Sequence, residues 1–331
     1  VQEEVTAAQE NAFKAADQQI IDWDIETNGK GERADAYLYC VEVKPEGCDY
    51  YIPLAPSWVI ADKFRIVASW SRVEGSDRLQ PSVQAVNNAE FKSYKDKKGA
   101  TIVDGRVVDP FDPSRSWSVE ALRGPQGLRR WVNEDVVPQP GDVFQERLYC
   151  VRWINGRGER RYAAPDREDL ARESKVLELL YKRFDEWQKM GFIPARQIPE
   201  GGDKTEEPIR TRGWTHWHHL FTPRQLLSHG LISQASASGD SQIALAAAML
   251  NIGRLGDWDS RLSCWLPSQG GGIGGGKNTF LNQAVNPLFN YSTRGMQGLK
   301  TAQLSLNAST SFPGKSLVVC SDSRDIDQDS D

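Results

Sequence analysis

The chain has 331 residues, of which 39% are hydrophobic and 26% are charged, and a formal net charge of −5. This composition suits a folded protein with a sizeable core. It excludes a uniformly basic nucleic-acid binder, so any DNA contact must come from a local patch. No run of about eighteen apolar residues occurs, so no membrane contact is expected. The five cysteines are scattered and odd in number, which favours reduced thiols and a cytoplasmic location.

Residues 1–34 are predicted to form a helix and a linker, because apolar residues recur at three- and four-residue spacing over 3–24. From 35 to 164 the sequence changes to short β-type runs separated by turn residues. This pattern predicts a β-rich subdomain of ribbon-like hairpins. Asp104-Gly105 lies between two valine-rich runs and is a strong hairpin signal. Residues 155–158 are predicted to turn a second pair of strands.

The rest of the chain is predicted to be mainly helical, so the expected fold class is α+β. Residues 165–193 carry one apolar stripe, with Asp166 placed to cap the start and Gly191 to close the end, which predicts one long helix. The remaining segments are a linker at 194–213, a helical subdomain at 214–315, and a strand with an acidic tail at 316–331.

The glycine run at 270–276 resembles a phosphate-binding loop as far as Lys277. The next position must be Ser or Thr to hold magnesium, and here it is Asn278. The loop should also follow a buried strand, whereas the sequence WLPSQ precedes it. A mobile surface loop that carries one lysine is therefore the favoured interpretation. A nucleotide-binding enzyme is the least favoured of three functional hypotheses.

Two further motifs lack residues that their functions would require. Asp109-Pro110-Phe111 is similar to the start of a methyltransferase cofactor loop, but no glycine follows it to let the backbone approach the cofactor, so a turn is predicted. A closed zinc site needs four ligands in paired short spacings, which the chain does not supply, so no metal site is predicted. The candidate ligands considered are Cys40, Cys48, His216, His218 and His219.

Residues 220–226 carry the signals of a helix start. Thr222 is a good N-cap, Pro223 suits the first helical position, and Gln225 completes a capping box. Arg224 has no structural role in this pattern and projects from a helix N-terminus, which favours an anion such as phosphate. Tryptophans and cations interleave over 210–300, as on surfaces that bind unstacked bases and phosphates, although core packing is an equal alternative.

Specific strings resemble a family of large adenine-specific DNA methylase-like proteins that contain a domain of unknown function and often occur in phage-defence gene clusters. The similar segments are LFTPRQ at 220–225, DWDSRLSCWLP at 257–267 and NTFLNQAVNP at 278–287, with weaker similarity at 52–60 and 142–153. The resemblance implies that the cofactor loop precedes this region and that a catalytic Asp/Asn-Pro-Pro-Tyr motif follows it. The chain has neither motif, so no catalytic or cofactor-binding residue is predicted.

The resemblance implies that this chain is an internal insert of a Rossmann-like methyltransferase. The parent protein would use S-adenosylmethionine to methylate a flipped adenine, and this segment alone would bind no cofactor. It would contribute the surface that faces DNA. The residues predicted to contact phosphates or bases are Arg224, Arg261, Trp265, Lys277 and Asn278. A competing hypothesis, which the net acidic charge favours slightly, is a scaffold that docks other defence-system proteins without touching DNA.

Overall fold

The computed structural model describes residues 2–202, 206–238, 241–281 and 290–300. Over these residues helices combine with several antiparallel sheets, which confirms the α+β class expected from the sequence. The strand and acidic tail predicted over 316–331 lie outside the described residues. Among the described helices, none has the length and apolar content needed to cross a bilayer.

The described helices are α1 (Gln2–Asp22), α2 (Asn88–Lys95), α3 (Val119–Arg123), α4 (Arg167–Tyr181), α5 (Phe184–Met190), α6 (Glu206–Arg212), α7 (Pro223–Ala237), α8 (Gln242–Trp258), α9 (Gln269–Gly272) and α10 (Met296–Leu299). The described strands are β1 (Arg33–Val43), β2 (Ile52–Leu54), β3 (Val59–Ala61), β4 (Ile66–Ser71), β5 (Gln80–Ala85), β6 (Ile102–Val103), β7 (Arg106–Val108), β8 (Ser116–Ser118), β9 (Phe144–Ile154), β10 (Arg160–Ala163), β11 (Trp265–Leu266), β12 (Gly275–Gly276) and β13 (Tyr291–Arg294). Short 3-10 helices lie at Trp217–Leu220 and Thr279–Leu281.

The largest sheet is built around β1 in the order β10-β9-β1-β13, with β2 also paired to β1, and all its pairings are antiparallel. Leu38 of β1 lies opposite Cys150 of β9 and Ser292 of β13. Nearly every β1 side chain is buried, so this strand is covered on both faces. Because β13 lies far beyond residue 213, the sheet joins the segments expected to form separate β-rich and helical subdomains.

Helices α1, α4, α5, α7, α8 and α10 contribute to one hydrophobic core. Ile20 of α1, Trp187 of α5 and Leu227 of α7 belong to the same buried cluster. Gly230 of α7 allows the closest approach, because a Cβ atom added there would lie 2.2 Å from the Trp187 ring. Burial of large apolar side chains is the main stabilising contribution in such a cluster. The N-terminal helix therefore packs with the later helices although the sequence separates them by the whole β-rich region.

Several local predictions are confirmed. Asp104 and Gly105 turn β6 into β7 with φ angles of +49° and +75°, as a tight hairpin requires. Residues 155–158 turn β9 into β10. Asp166 forms a capping box at the start of α4, and Gly191 ends α5 in the left-handed conformation.

The single long helix expected over 165–193 is wrong in one respect. The helix breaks between Tyr181 and Phe184, where Arg183 has the non-helical angles φ −121° and ψ −12°. After the break, Phe184 and Trp187 are buried in the shared helical core. One apolar stripe therefore spans two consecutive helices.

Candidate functional site

Arg224, which was expected to project toward phosphate, lies in the protein interior with 2% exposure. The helix start itself is as predicted, because Thr222 and Gln225 form the capping box and Pro223 is the first helical residue. The Arg224 guanidinium lies 2.5 Å from a carboxylate oxygen of Glu173, and its Cζ lies 3.9 Å from the Tyr37 ring centroid. Burial lowers the pKa of Arg224, but Tyr37 and Glu173 raise it more, so the side chain stays charged. Arg224 connects α7 to α4 and β1.

Arg261 is also internal, with 2% exposure. Its Nε lies 2.9 Å from Oε1 of Glu146, and a second arginine, Arg212, lies 3.0 Å from the same carboxylate oxygen. The other Arg261 nitrogens donate to carbonyl oxygens, including that of Val136 at 2.8 Å. Burial raises the pKa of Glu146, but the two arginines lower it more and keep it ionised. This ion cluster stabilises the interior, and its arginine side chains do not face a DNA-accessible surface.

Trp265 is 5% exposed and donates its indole N–H to the carbonyl oxygen of Ile60 at 2.7 Å. The glycine loop beside it was expected to lie at the surface, but most of its glycines are buried. Gly274 is buried, and a Cβ atom added there would lie 2.5 Å from the Trp265 ring and 2.6 Å from the Ile60 oxygen. Only glycine fits such a close approach. The loop is therefore docked against the strand β3 that carries Ile60.

Several backbone N–H groups of the docked loop are already used within the protein. Gly272 and Gly274 donate theirs to the carbonyl oxygens of Ser268 and Gln269, and Lys277 donates its own to Cys264. The loop carbonyl oxygens, in contrast, accept hydrogen bonds from arginines. This arrangement argues against the nucleotide-binding-enzyme hypothesis, because a phosphate-binding loop works through free N–H groups.

Lys277 and Asn278 follow the loop and are only partly buried. The Asn278 side-chain amide donates to Asp257 at 2.9 Å, at the end of α8. Of the five residues expected to contact DNA, these two are the ones with appreciable exposure. The other three belong to the interior, so the five do not form one surface patch.

A cleft of about 400 Å³ lies beside the docked loop, and three arginines are among its lining residues. Arginines from three strands line it: Arg152 of β9, Arg160 of β10 and Arg294 of β13. Among the described lining residues Asp35 of β1 is the one carboxylate, so these side chains together carry a net charge of +2. We call this feature the basic cleft. Its other lining residues are Ala36, Ile154, Trp265, Gly276, Ser292, Thr293, Gln297 and Gly298.

Asp35 and the glycine loop hold two of the arginines in place. Arg152 Nε lies 2.6 Å from one Asp35 oxygen, and Arg160 Nε lies 3.5 Å from the other. Arg152 also donates to the Gly274 oxygen at 2.6 Å, with its Cζ 5.0 Å from the Trp265 ring centroid. On the opposite side, Arg294 donates to the Gly276 oxygen at 2.8 Å. The glycine loop thus orients the guanidinium groups.

The guanidinium groups are close enough to influence each other. Burial lowers the pKa of Arg294, the neighbouring Arg152 lowers it further, and the buried Asp259 raises it. Arginine stays protonated in proteins, so both groups remain charged at neutral pH. Two mutually repelling cations on the wall of a concave site favour an anionic ligand, and the planar guanidinium matches phosphate or carboxylate oxygens.

No family model, curated protein or solved structure matches this chain. A functional assignment therefore depends on the sequence motifs and on the chemistry of the basic cleft.

The three clustered histidines have a structural explanation. The Nε2 atoms of His218 and His219 lie 2.9 and 3.1 Å from the carbonyl oxygens of Asn133 and Val132. His219 Nδ1 accepts backbone N–H groups from Thr215 and His216. These contacts connect the loop at 131–136 to the segment before α7. Over the described residues, no group of three or more His, Cys, Asp or Glu is arranged to hold a metal ion.

Arg152 and Arg160 are the functional candidates that sequence reasoning missed. They lie on β9 and β10, within a run that reads as ordinary strand and turn, and more than one hundred residues before Arg294. Only the antiparallel pairing of β13 with β1 brings Arg294 to the same sheet. A weak sequence signal was present, because four arginines fall between 152 and 161.

Proposed function

We propose that this chain is the DNA-recognition region of an adenine-specific DNA methyltransferase-like protein, and that it contacts DNA phosphates at the basic cleft. The observation that carries the proposal is the convergence of Arg152, Arg160 and Arg294 on one concave site. A chain with a net charge of −5 needs such a local concentration to attract a polyanion.

In this proposal the parent protein supplies S-adenosylmethionine binding and methyl transfer elsewhere in its chain, and it acts in the cytoplasm. The segment contributes position and affinity. Contacts to phosphates fix the orientation of a protein on DNA without reading sequence. The purified chain is therefore expected to bind DNA without modifying it and without retaining the methyl donor.

DNA affinity of Arg160→Gln tests the proposal. Arg160 is the safest cleft residue to change, because its side chain is 31% exposed and its recorded ion pair is the 3.5 Å contact with Asp35. We expect a loss of about tenfold in affinity, the size of one charge-assisted hydrogen bond. Arg157→Gln is the matched control, since Arg157 is an exposed arginine on the adjacent turn and does not line the cleft. Equal affinity in the two variants would rule out the cleft as the contact.

The scaffold hypothesis has one specific observation in its favour. Leu250 and Phe280 are large apolar side chains with 66% and 68% exposure. Phe280 lies close to the end of α8, where its backbone N–H donates to the Asp257 carboxylate at 3.0 Å. A partner protein would be expected to cover such groups. Loss of co-purification of a neighbour-encoded protein in Phe280→Asp, with DNA affinity unchanged, would favour the scaffold.

A further inference from the structure

We infer that the basic cleft holds one nucleotide unit of an unpaired strand, and not the backbone of an intact duplex. This inference rests on the proposed function and specifies its ligand. The shared chemistry is a phosphate ester, recognised by guanidinium forks in a site the size of a small-molecule pocket.

The size of the basic cleft favours a single nucleotide unit. A volume of about 400 Å³ falls in the range of pockets that enclose small ligands, which runs from about 300 to 1,000 Å³. A specific duplex interface instead covers about 1,000–2,500 Å² of protein surface. The three arginines are gathered in one concavity and are not spread along a face. This distribution suits one phosphate group with its attached sugar.

The charged side chains of the basic cleft lie deep in the recess. The Arg152 side chain is only 11% exposed, and the lining residues Ser292 and Thr293 are buried. Phosphates of an intact duplex lie on a convex cylinder with the base pairs behind them, so they cannot enter a recess as a single unit. A nucleotide in an unpaired strand can rotate away from its neighbours, at a cost of a few kcal/mol or less if it is already unstacked. The recessed guanidinium groups therefore favour the unpaired form.

The Arg152 and Arg294 guanidinium groups each retain N–H donors that the described residues do not use. Arg294 donates Nε to the Trp258 oxygen and Nη2 to the Gly276 oxygen. Arg152 donates Nε to Asp35 and Nη1 to the loop carbonyl oxygens. A guanidinium carries five N–H donors, so each group keeps donors for an anion while its orientation is fixed. Such preorganisation lowers the entropic cost of binding.

Trp265 does not offer a face on which the base could stack. The indole is 5% exposed, and the Arg152 guanidinium lies over its ring. Specificity for a nucleotide over free phosphate would then come from the sugar and from the other lining groups, among them Ala36, Ile154 and the Gln297 side chain.

The test compares fluorescently labelled oligothymidylate, as a single strand, with a duplex of the same length. We expect the full chain to bind the single strand about tenfold more tightly than the duplex, which corresponds to about 1.4 kcal/mol. Unlabelled thymidine 5′-monophosphate should displace the strand at lower concentration than inorganic phosphate does. Arg160→Gln should weaken both the strand and the monophosphate, Arg160→Lys should recover part of the loss, and Arg157→Gln should behave as wild type.

The outcomes separate this inference from the proposed function. Equal or tighter binding of the duplex, with no displacement by the monophosphate, overturns the inference and leaves DNA binding at the cleft intact. If inorganic phosphate displaces the strand as effectively as the monophosphate does, the cleft is a general anion site. That result also overturns the inference. Failure of both DNA forms to bind overturns the proposed function as well.

Discussion

Arg261 and Glu146 form a buried ion pair with 2.9 Å between Nε and Oε1, although they are 115 positions apart in the sequence. Their side chains are 0% and 9% exposed. Arg212 approaches the same carboxylate from α6. The pair therefore connects β9 to the segment that follows α8, and Arg261 has a structural role that its sequence context did not reveal.

Removal of one partner should be costly. We expect Glu146→Gln to lower the free energy of unfolding by about 3–5 kcal/mol, because it leaves two buried arginines without their carboxylate. Arg261→Gln should lower it by about 1–3 kcal/mol, because Arg212 still pairs with Glu146 while the carbonyl oxygens bound by Arg261 lose their donor. Urea titration followed by tryptophan fluorescence measures the effect, with the exposed Arg157→Gln expected to change stability by less than about 0.5 kcal/mol. An Arg261→Gln protein of normal stability but weakened DNA affinity would restore the original expectation of a DNA contact.

The glycine loop offers a matched pair of substitutions. Gly271 has a φ of +72° with no atom within 4 Å of an added Cβ, whereas Gly274 has a φ of +79° and would clash with Trp265 and the Ile60 oxygen. Gly271→Ala should cost about 1–2 kcal/mol from backbone strain alone. Gly274→Ala should cost about 1–3 kcal/mol more, from overpacking. Similar thermal unfolding temperatures for the two variants would mean that the loop does not dock as described.

Asp259 should make stability depend on pH near neutrality. It is fully buried, its Oδ1 accepts from Gln225 and from the Arg294 backbone, and its Oδ2 has no hydrogen-bond partner among the described residues. Burial raises the pKa of Asp259 to about 7. Because the folded-state pKa is raised, stability from the neutral form is present at low pH and is lost as the pH rises through about 7.

Asp259→Asn removes that charge. We expect the variant to be more stable than wild type by about 1–3 kcal/mol at pH values of about 8 to 9, and the difference to shrink toward pH 5. Chemical denaturation at several pH values measures it. A constant difference between variant and wild type at all pH values would show that Asp259 does not titrate in this range.

The histidine cluster should make the fold sensitive to acid. Burial lowers the pKa of His218 to about 4 and that of His219 to about 2, with further lowering from neighbouring cationic and histidine groups. Both side chains are therefore neutral in the folded state. Their contribution to stability is complete above the ordinary histidine pKa of about 6.5 and decreases as the pH falls from there toward 4. Ring NMR signals of His218 or His219 that titrate near pH 6.5 in the folded protein would disprove this account.

The sequence predicted features whose cause is local. The capping box at Thr222, the hairpin at Asp104-Gly105 and the left-handed Gly191 all depend on residues within a few positions, and all are confirmed. The break at Arg183 was missed because the apolar stripe continues across it.

The candidate site could not be predicted, because its residues are distant from one another in the sequence. An arginine that neutralises a buried glutamate has the same sequence appearance as one that faces solvent, so Arg224 and Arg261 were interpreted as DNA contacts. The basic cleft needs the pairing of β1 with both β9 and β13, which brings residues 35, 152 and 294 together. Long-range strand pairing is set by the burial of whole sheet faces and leaves no short motif.

Salt titration of oligonucleotide binding measures the proposed phosphate contact itself. We expect the logarithm of affinity to fall linearly with the logarithm of salt concentration, with a slope that Arg160→Gln reduces by about one unit and Arg157→Gln leaves unchanged. An affinity independent of salt, or a slope that Arg160→Gln does not alter, would show that the basic cleft does not bind DNA phosphate.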